Sequence, residues 1–342
     1  MKRRATLQDI AREAGVGVAT VDRVLNGRAP VSQVTADRVL AAAKVLGYHA
    51  QGVMKRRIEQ LVPHKKLGFI LQKKSKWFYQ AIAAEIEKLA PQLTEIRAAT
   101  DIRYVENLSP DELSGALEDL SKTADAIAFV SIDHPTIHVA IENCVADGVP
   151  VITFLSPLSS QQVSGYVGID GRKAGRAAGW AMARFSQGSG DIGILAGSHR
   201  YLGHEALEVG FRSALREYAP DANLRDSLVY LDDAGVAYEA AAELLRSAPN
   251  LKGLYHCGGG VTGVMRALKE TDRRQEVFYI CHEKSPHSES GLLDGTVDLV
   301  IANPVEDAVL RLLRLMERTL TGSELNFVNE IIDFHLITPE NI

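Results

Sequence analysis

Two periodicities divide the chain. From Thr6 to Tyr48 apolar residues recur at helical spacing, with Leu7, Ile10, Ala11 and Ala14 at i, i+3, i+4 and i+7 on one face. Thr6, followed three residues later by Asp9, predicts a capped start. Gly15 permits the sharp exit that a helix-turn-helix corner needs. A second helix over about 18–26 turns Val21 and Leu25 inward and leaves Val18, Ala19, Thr20 and Arg23 outward. Ser32 caps a third, whose Val39, Leu40, Ala43 and Leu46 close a miniature core before Gly47 ends it. The first turn of the second helix is small and uncharged, so it can approach base edges, and the Arg23 fork suits guanine or phosphate.

From Leu67 onward the grammar changes to short, continuous apolar runs alternating with amphipathic stretches. Strands are predicted at 67–71, 126–132, 149–155, 191–197, 227–231, 251–257, 277–283 and 297–303. Helices are predicted over 77–93, after 136, over about 203–217, 235–247 and 261–269. Buried, non-alternating strands separated by helices indicate a doubly wound parallel sheet, here twice.

Composition sharpens this division. Residues 1–60 hold eleven Lys and Arg against five Asp and Glu, a net +6, while the remainder carries −11 of an overall −5. A basic head on an acidic body is what attraction to nucleic-acid phosphates predicts. No run of 18 apolar residues occurs, so no membrane span is expected, and no apolar segment follows the basic N-terminus as a signal peptide requires. A cytoplasmic protein is therefore expected. Cys144, Cys257 and Cys281 are odd in number and widely spaced, implying reduced, buried residues with neither disulfide nor zinc. The ten His show no ligand spacing, and no cofactor is called for.

The strings TLQDIAREAGVGVATVDRVLNG and VSQVTADRVLAAAKVLGY closely resemble the DNA-binding domain of the lactose-repressor (LacI-type) family of bacterial transcription regulators. The likeness is dense over the first 50 residues. It implies a helix-turn-helix domain at 1–50, a hinge or linker at 51–65, and an effector-binding and dimerisation body at 66–342. It implies DNA contacts from Thr6, Leu7, Val18, Ala19, Thr20, Arg23, Asn26, Arg28, Tyr48, Lys55, Arg56 and Arg57. Gly17 and Asp22 stand where the family usually has Ser. Asp22 can pair with Arg23 or Arg28, or accept from a cytosine amino group. In the family the hinge is a helix that inserts apolar side chains into the minor groove. Here Ala50-Gln51 replaces its Pro-Asn start and Arg57 replaces the inserted Leu, so a plain charged linker stays open beside it.

The body resembles the periplasmic sugar-binding-protein fold that the family joins to its head, implying two lobes with a ligand cleft at the carboxyl ends of the strands. That likeness nominates Trp77 and Phe78 as an aromatic pair in the cleft, or as core anchors of their helix. Asp133, His134 and Ser156 follow strands and point at the same edge. Asp170 can accept a sugar hydroxyl or cap a helix, Glu283 keeps a carboxylate after its strand, and Asn303 offers an amide. Where the family has Arg before Gly210-Phe211, Glu205, Leu207 and Glu208 stand, leaving His199 or Arg200 to substitute; Cys257-Gly258 replaces its Asn-Asp. Gly258, Gly259 and Gly260 either offer backbone N–H groups to an anion or serve a turn needing positive φ. No Walker lysine follows them.

These features point to a ligand-responsive transcriptional regulator, with repression as the family's commoner mode. It would bind a near-palindromic double-stranded operator as a homodimer and take a sugar, polyol or related metabolite as effector. No leucine heptads close the chain, so a tetramer is not expected. A free solute-binding protein of a transport system is the alternative, opposed by the basic head. An enzyme is not expected, because no GxSxG, metal cluster or spaced carboxylate pair is present.

Overall fold

The structure, a computed structural model, describes residues 5–26, 31, 33–48, 62–186, 190–322 and 326–342. The chain forms two compact units, one containing the helical head and the other the α/β body.

In the head, helix Leu7–Ala14 opens on a capping box: the Asp9 amide donates to Thr6 Oγ1, and the Thr6 amide donates to Asp9 Oδ2 at 2.9 Å. Gly15 adopts φ 63°, the left-handed exit expected of it, and Arg38 donates to the Ala14 carbonyl at 2.6 Å, a cation on the negative end of that helix. Helices Val18–Asn26 and Gln33–Val45 complete the corner. Ile10, Val21, Val24, Val39 and Ala43 are fully buried between the three, with Leu40 and Leu46 packed at the edge. Val24 joins the inward face that periodicity assigned to Val21 and Leu25, because i, i+3 and i+4 share one stripe. Ser32, Arg28 and the linker residues Ala50 to Arg57 lie outside the described residues.

The body holds two sheets. The first contains β1 (His64–Gln72), β2 (Arg97–Val105), β3 (Ala126–Phe129), β4 (Val151–Phe154) and β5 (Gly165–Ile169). The second contains β6 (Asp191–Ala196), β7 (Asn223–Leu224), β8 (Leu228–Val229), β9 (Leu251–Cys257), β10 (Phe278–His282) and β11 (Leu299–Ala302). Then β12 (Val328–Ile332) returns to the first and β13 (His335–Ile337) to the second. The orders are β12-β5-β4-β3-β1-β2 and β13-β11-β10-β9-β6-β7, with β8 beside the end of β6. The pairing of β13 with β11 is antiparallel, whereas β1 with β3, β3 with β4, β4 with β5, β5 with β12, β6 with β7, β8 and β9, β9 with β10, and β10 with β11 pair in parallel.

The chain thus passes between lobes three times, around 169–171, 302–305 and 332–335. Helix Gly171–Phe185 belongs to the second lobe, where Phe185 stacks on Phe278 at 5.1 Å, and helix Val305–Leu320 packs on β3 and β5 of the first. Predicted elements hold with shifted ends: the 67–71 strand extends to His64–Gln72, the 77–93 helix stops at Leu89 and passes into a 3₁₀ turn, Ala90–Gln92, and the 227–231 strand shortens to Leu228–Val229. Cys144, Cys257 and Cys281 are buried and free. No helix among the described residues is long and apolar enough to cross a membrane.

Helices Gly171–Phe185 and Leu202–Tyr218 cross at close range over glycines. A Cβ at Gly175 would overlap the Leu207 carbonyl, and one at Gly210 the Arg172 carbonyl. Gly115, in helix Pro110–Ser121, has open space around it. Gly175→Ala is therefore expected to destabilise the body by about 1–3 kcal/mol through overpacking. Gly115→Ala is expected to stabilise it by up to about 1 kcal/mol through helix propensity. Chemical denaturation of both variants checks the opposite signs.

Candidate functional site

Parallel strands end on one edge, so the two sheets present strand-end residues to a common cleft of about 500 Å³, the size of a small-molecule site. From the first lobe come Gln72 at the end of β1 and Lys73 just past it, Leu155 and Ser156 after β4, and Asp170 after β5. From the second come Gly258 and Gly259 after β9, His282 and Glu283 after β10, and Asn303 after β11. Phe78 and Tyr79 enter from the start of helix Trp77–Leu89, and Tyr201, Gly203 and His204 from the start of helix Leu202–Tyr218.

Three hydrogen bonds join the lobes across the cleft edge. Lys76 Nζ donates to the Asp232 carbonyl at 2.8 Å, the Gly203 amide to Ser156 Oγ at 3.1 Å, and the Asp133 amide to the Arg200 carbonyl at 2.8 Å. The second-lobe rim is strained: Leu231, Asp232 and Glu283 all hold positive φ, at 54°, 53° and 76°. Asp232 spends one carboxylate oxygen on the Gly259 amide at 2.8 Å. Gly258 and Gly260 adopt φ 126° and 90°. The glycine run therefore serves a positive-φ turn, and its middle amide is engaged by the protein's own anion.

One buried acceptor of the cleft wall has no protein partner among the described residues. Gln72 is 97% buried, its amide nitrogen donates to the Val130 carbonyl at 2.6 Å, and its Oε1 has no hydrogen-bond partner among the described residues. Burial pushes the Glu283 carboxyl up to about 7, with Lys76 opposing the shift and Asp232 adding to it. Burial, Asp232 and Glu283 raise the Tyr79 phenol well above its usual range, keeping it a neutral donor. Behind the wall, Tyr255 contacts His282 Nε2 at 2.8 Å, and His256 bridges Tyr230 and Tyr279 at 2.7 and 2.8 Å. Burial lowers His256 to about 4 and His282 to about 3, so both rings are neutral.

Of the cleft residues nominated from sequence, Phe78, Ser156, Asp170, Glu283 and Asn303 line the cavity. Asp170 also caps its helix, accepting from the Lys173 amide at 3.0 Å, so both its readings apply. The others lie outside the lining, each for a local reason. Trp77, 40% exposed, sits one helical position away from Phe78 and faces a second depression. Asp133 clasps the Ser159 amide and hydroxyl and His138, tying a loop. His134 caps helix Pro135–Ala146 through Nδ1. His199 pairs with Glu208 at 2.7 Å; burial opposes it, but His199 and Arg212 hold that carboxyl below its usual range. Arg200 offers its carbonyl to Asp133 while its side chain lies in solvent, and Cys257 points its thiol at the Leu195 carbonyl. Sequence reasoning missed Gln72, Lys76, Tyr79, Tyr201, His204, Asp232 and His282. The strand-end criterion could have found Gln72 and His282; nothing in the periodicity marks Asp232.

In the head, Val18, Ala19, Arg23 and Asn26 stand exposed on one helix, with Thr20 half-buried beside them. Asp22 accepts from the Asn26 amide nitrogen one turn later, at 2.5 Å, a partner the sequence alternatives did not include. Thr6 is engaged in its capping box, and Leu7 and Tyr48 pack partly against the core. Arg28, Lys55, Arg56 and Arg57 lie outside the described residues.

Residues 6–51 match the model of bacterial regulatory proteins, lacI family, and residues 67–324 match that of the periplasmic binding protein domain. The chain belongs to the lacI family. Along 99% of both chains it is 28% identical to the HTH-type transcriptional regulator CelR of Thermobifida fusca. Over 70% of each it is 29% identical to catabolite control protein A of Priestia megaterium. The body has the fold of a solute-binding protein of Agrobacterium vitis bound with alpha-D-tagatopyranose (TM-score 0.75, 16% identity, 81% of this chain and 95% of that one). It also has that of a periplasmic solute-binding protein of Actinobacillus succinogenes with bound D-allose (TM-score 0.74, 18% identity, 81% and 98%). At such identity the likeness shows the fold alone. The lacI-family member is thus a ligand-responsive DNA-binding transcriptional regulator, and the helix-turn-helix sets aside the free solute-binding reading. The curated relatives CelR and catabolite control protein A are regulators.

Glu283 gives the regulator a specific pH signature. Between the ordinary carboxyl range of about 4.3 and its folded value of about 7, the unfolded state releases the proton and the folded state keeps it. Stability from this group therefore falls as pH rises through that window and levels off above it. Glu283→Gln is expected to gain on the unmodified protein in melting temperature from pH 5 to pH 8. Paired thermal melts across that range check it, and a constant difference would refute the assignment.

Proposed function

We propose that the regulator is a cytoplasmic homodimeric repressor of genes for a carbohydrate or related metabolite. It binds a near-palindromic operator through residues 1–50, with 51–65 as linker and 66–342 as effector-binding and dimerisation body. Val18, Ala19, Thr20, Arg23 and Asn26 approach base edges, while Thr6, Leu7, Arg28, Tyr48, Lys55, Arg56 and Arg57 contact the backbone or minor groove. The observation that carries the effector reading is the unpartnered Gln72 Oε1, buried yet lining a cavity shared by both lobes. A buried acceptor left without a partner costs about 1–3 kcal/mol, so a ligand hydroxyl seated there recovers that penalty. A molecule touching strand ends of both lobes biases their closure, and effector and operator affinities are then coupled reciprocally by about 1–3 kcal/mol.

A mobility-shift titration against operator fragments, repeated with sugars, polyols and sugar derivatives, tests this reading. Operator binding that no cleft ligand alters would sink the effector assignment. Arg23→Ala is expected to weaken operator binding by about 1–3 kcal/mol while leaving the melting temperature nearly unchanged, since its side chain is exposed.

Gly259 offers a cleaner separation of the two activities. Its φ is not in the positive range, and a Cβ there meets no atom closer than 3.7 Å, so alanine folds without strain. Its methyl would project among Glu283, Asp232 and Lys76 inside the cleft. Gly259→Ala is expected to retain operator affinity and lose the effector response, measured in the same titration.

A further inference from the structure

We propose that Lys76 is a specificity-determining residue of the effector cleft: its ammonium balances the cleft carboxylates, so that the site takes an uncharged polyhydroxy ligand and rejects one bearing an amino group. This rests on the cleft being the effector site. Three cations, Lys73, Lys76 and Arg172, line the cavity against three carboxylates, Asp170, Asp232 and Glu283.

Lys76 is the cation set among the second-lobe carboxylates. A Cβ built on Gly259 would stand 4.0 Å from Lys76 Nζ, 3.8 Å from Asp232 Oδ1 and 3.7 Å from Glu283 Oε2, so the three charges surround one point. The turn before helix Trp77–Leu89 fixes the approach, with the Lys76 amide donating to the Lys73 carbonyl at 2.9 Å. Lys76 Nζ donates to the Asp232 carbonyl at 2.8 Å, which leaves two of the three ammonium protons for a ligand or for Glu283.

The buried imidazoles of that wall do not replace it, and Lys73 and Arg172 line the cavity elsewhere. His256 and His282 are held neutral by burial, and His204 Nδ1 accepts from the Ser198 amide. The remaining polar groups, Gln72 Oε1 and the Tyr79 and Tyr201 hydroxyls, are neutral hydrogen-bonding groups suited to ligand hydroxyls. A ligand ammonium entering here meets the Lys76 charge at close range. Without Lys76, the same ammonium meets Asp232 and Glu283 with no cation set between them. The discrimination comes from a repulsive group inside the site as much as from attractive ones.

The test uses the full-length protein and matched probe sets: glucose, glucosamine and glucuronate, and galactose, galactosamine and galacturonate. Affinities are read by thermal shift and by calorimetry, with operator binding of every variant as the folding control. The unmodified protein is expected to favour the uncharged member. Lys76→Met is expected to move the ratio of amino to uncharged affinity by roughly tenfold or more toward the amino sugar. Glu283→Gln is expected to move preference toward the acid, and Lys76→Arg to keep the original ranking. A protein that prefers the amino or acid member from the outset, or a Lys76→Met ratio that does not move, overturns the role of Lys76 and leaves the cleft reading standing. Silence of all variants toward every probe, with operator binding intact, overturns both.

Discussion

A chain that passes three times between two parallel sheets brings the carboxyl ends of both around one cleft. Strand ends are where a parallel sheet stops satisfying its own backbone, so loops there must turn sharply and polar groups must find partners locally. The body meets this demand at a cost in backbone strain. Leu155, Leu231, Asp232 and Glu283, all non-glycine residues, hold positive φ, and all but Leu231 line the cavity. Strain of this kind persists where surrounding structure over-determines it. Here the Asp232 carboxylate on the Gly259 amide and the Glu283 amide on the Ile301 carbonyl fix the turns from both sides.

The wall that carries these turns is stiffened by aromatic and imidazole groups rather than by ion pairs. Phe211 stacks on Tyr255 at 4.3 Å, Tyr255 holds His282, and His256 joins Tyr230 to Tyr279. With both imidazoles neutral, each bond exchanges one polar contact for another without burying net charge. In the cleft itself Lys76, Asp232 and Glu283 converge. On the far side, glycines at 175, 179 and 210 let two helices approach backbone to backbone, so helix Leu202–Tyr218 brings its first turn to the cavity.

Much of this was legible in the sequence because burial and periodicity are local signals. The runs AIAF, VITF and LKGLYHC became strands, and the Thr6–Asp9 spacing became a capping box. Strand β2 went unread because its residues, RAATDIRYV, sit at an edge where only Val105 is fully buried. At the site, Ser156, Asp170, Glu283 and Asn303 were readable as strand-end polar residues. The aromatic entry was misphased by one position: at 100° per residue, the helix start at Trp77 turns Phe78 and Tyr79 into the cleft and Trp77 out. Lys76 reads as a solvated loop charge in a KKSK run. Its role depends on a carbonyl 156 residues away in the chain, which no local pattern encodes.

The magnitudes explain why so few contacts suffice for regulation. Each of the three interlobe hydrogen bonds contributes about 0.5–1.5 kcal/mol net, so together they are comparable with the 1–3 kcal/mol that couples two ligands through a protein. The lobes therefore close on contacts of their own, and an effector changes the balance only by what it gains beyond them. Gln72 Oε1, buried at the end of β1, is left without a partner among the described residues, and the Glu283 carboxyl, just past the end of β10, faces the same cavity. A ligand that reaches both would bridge the lobes beyond the contacts the protein makes by itself.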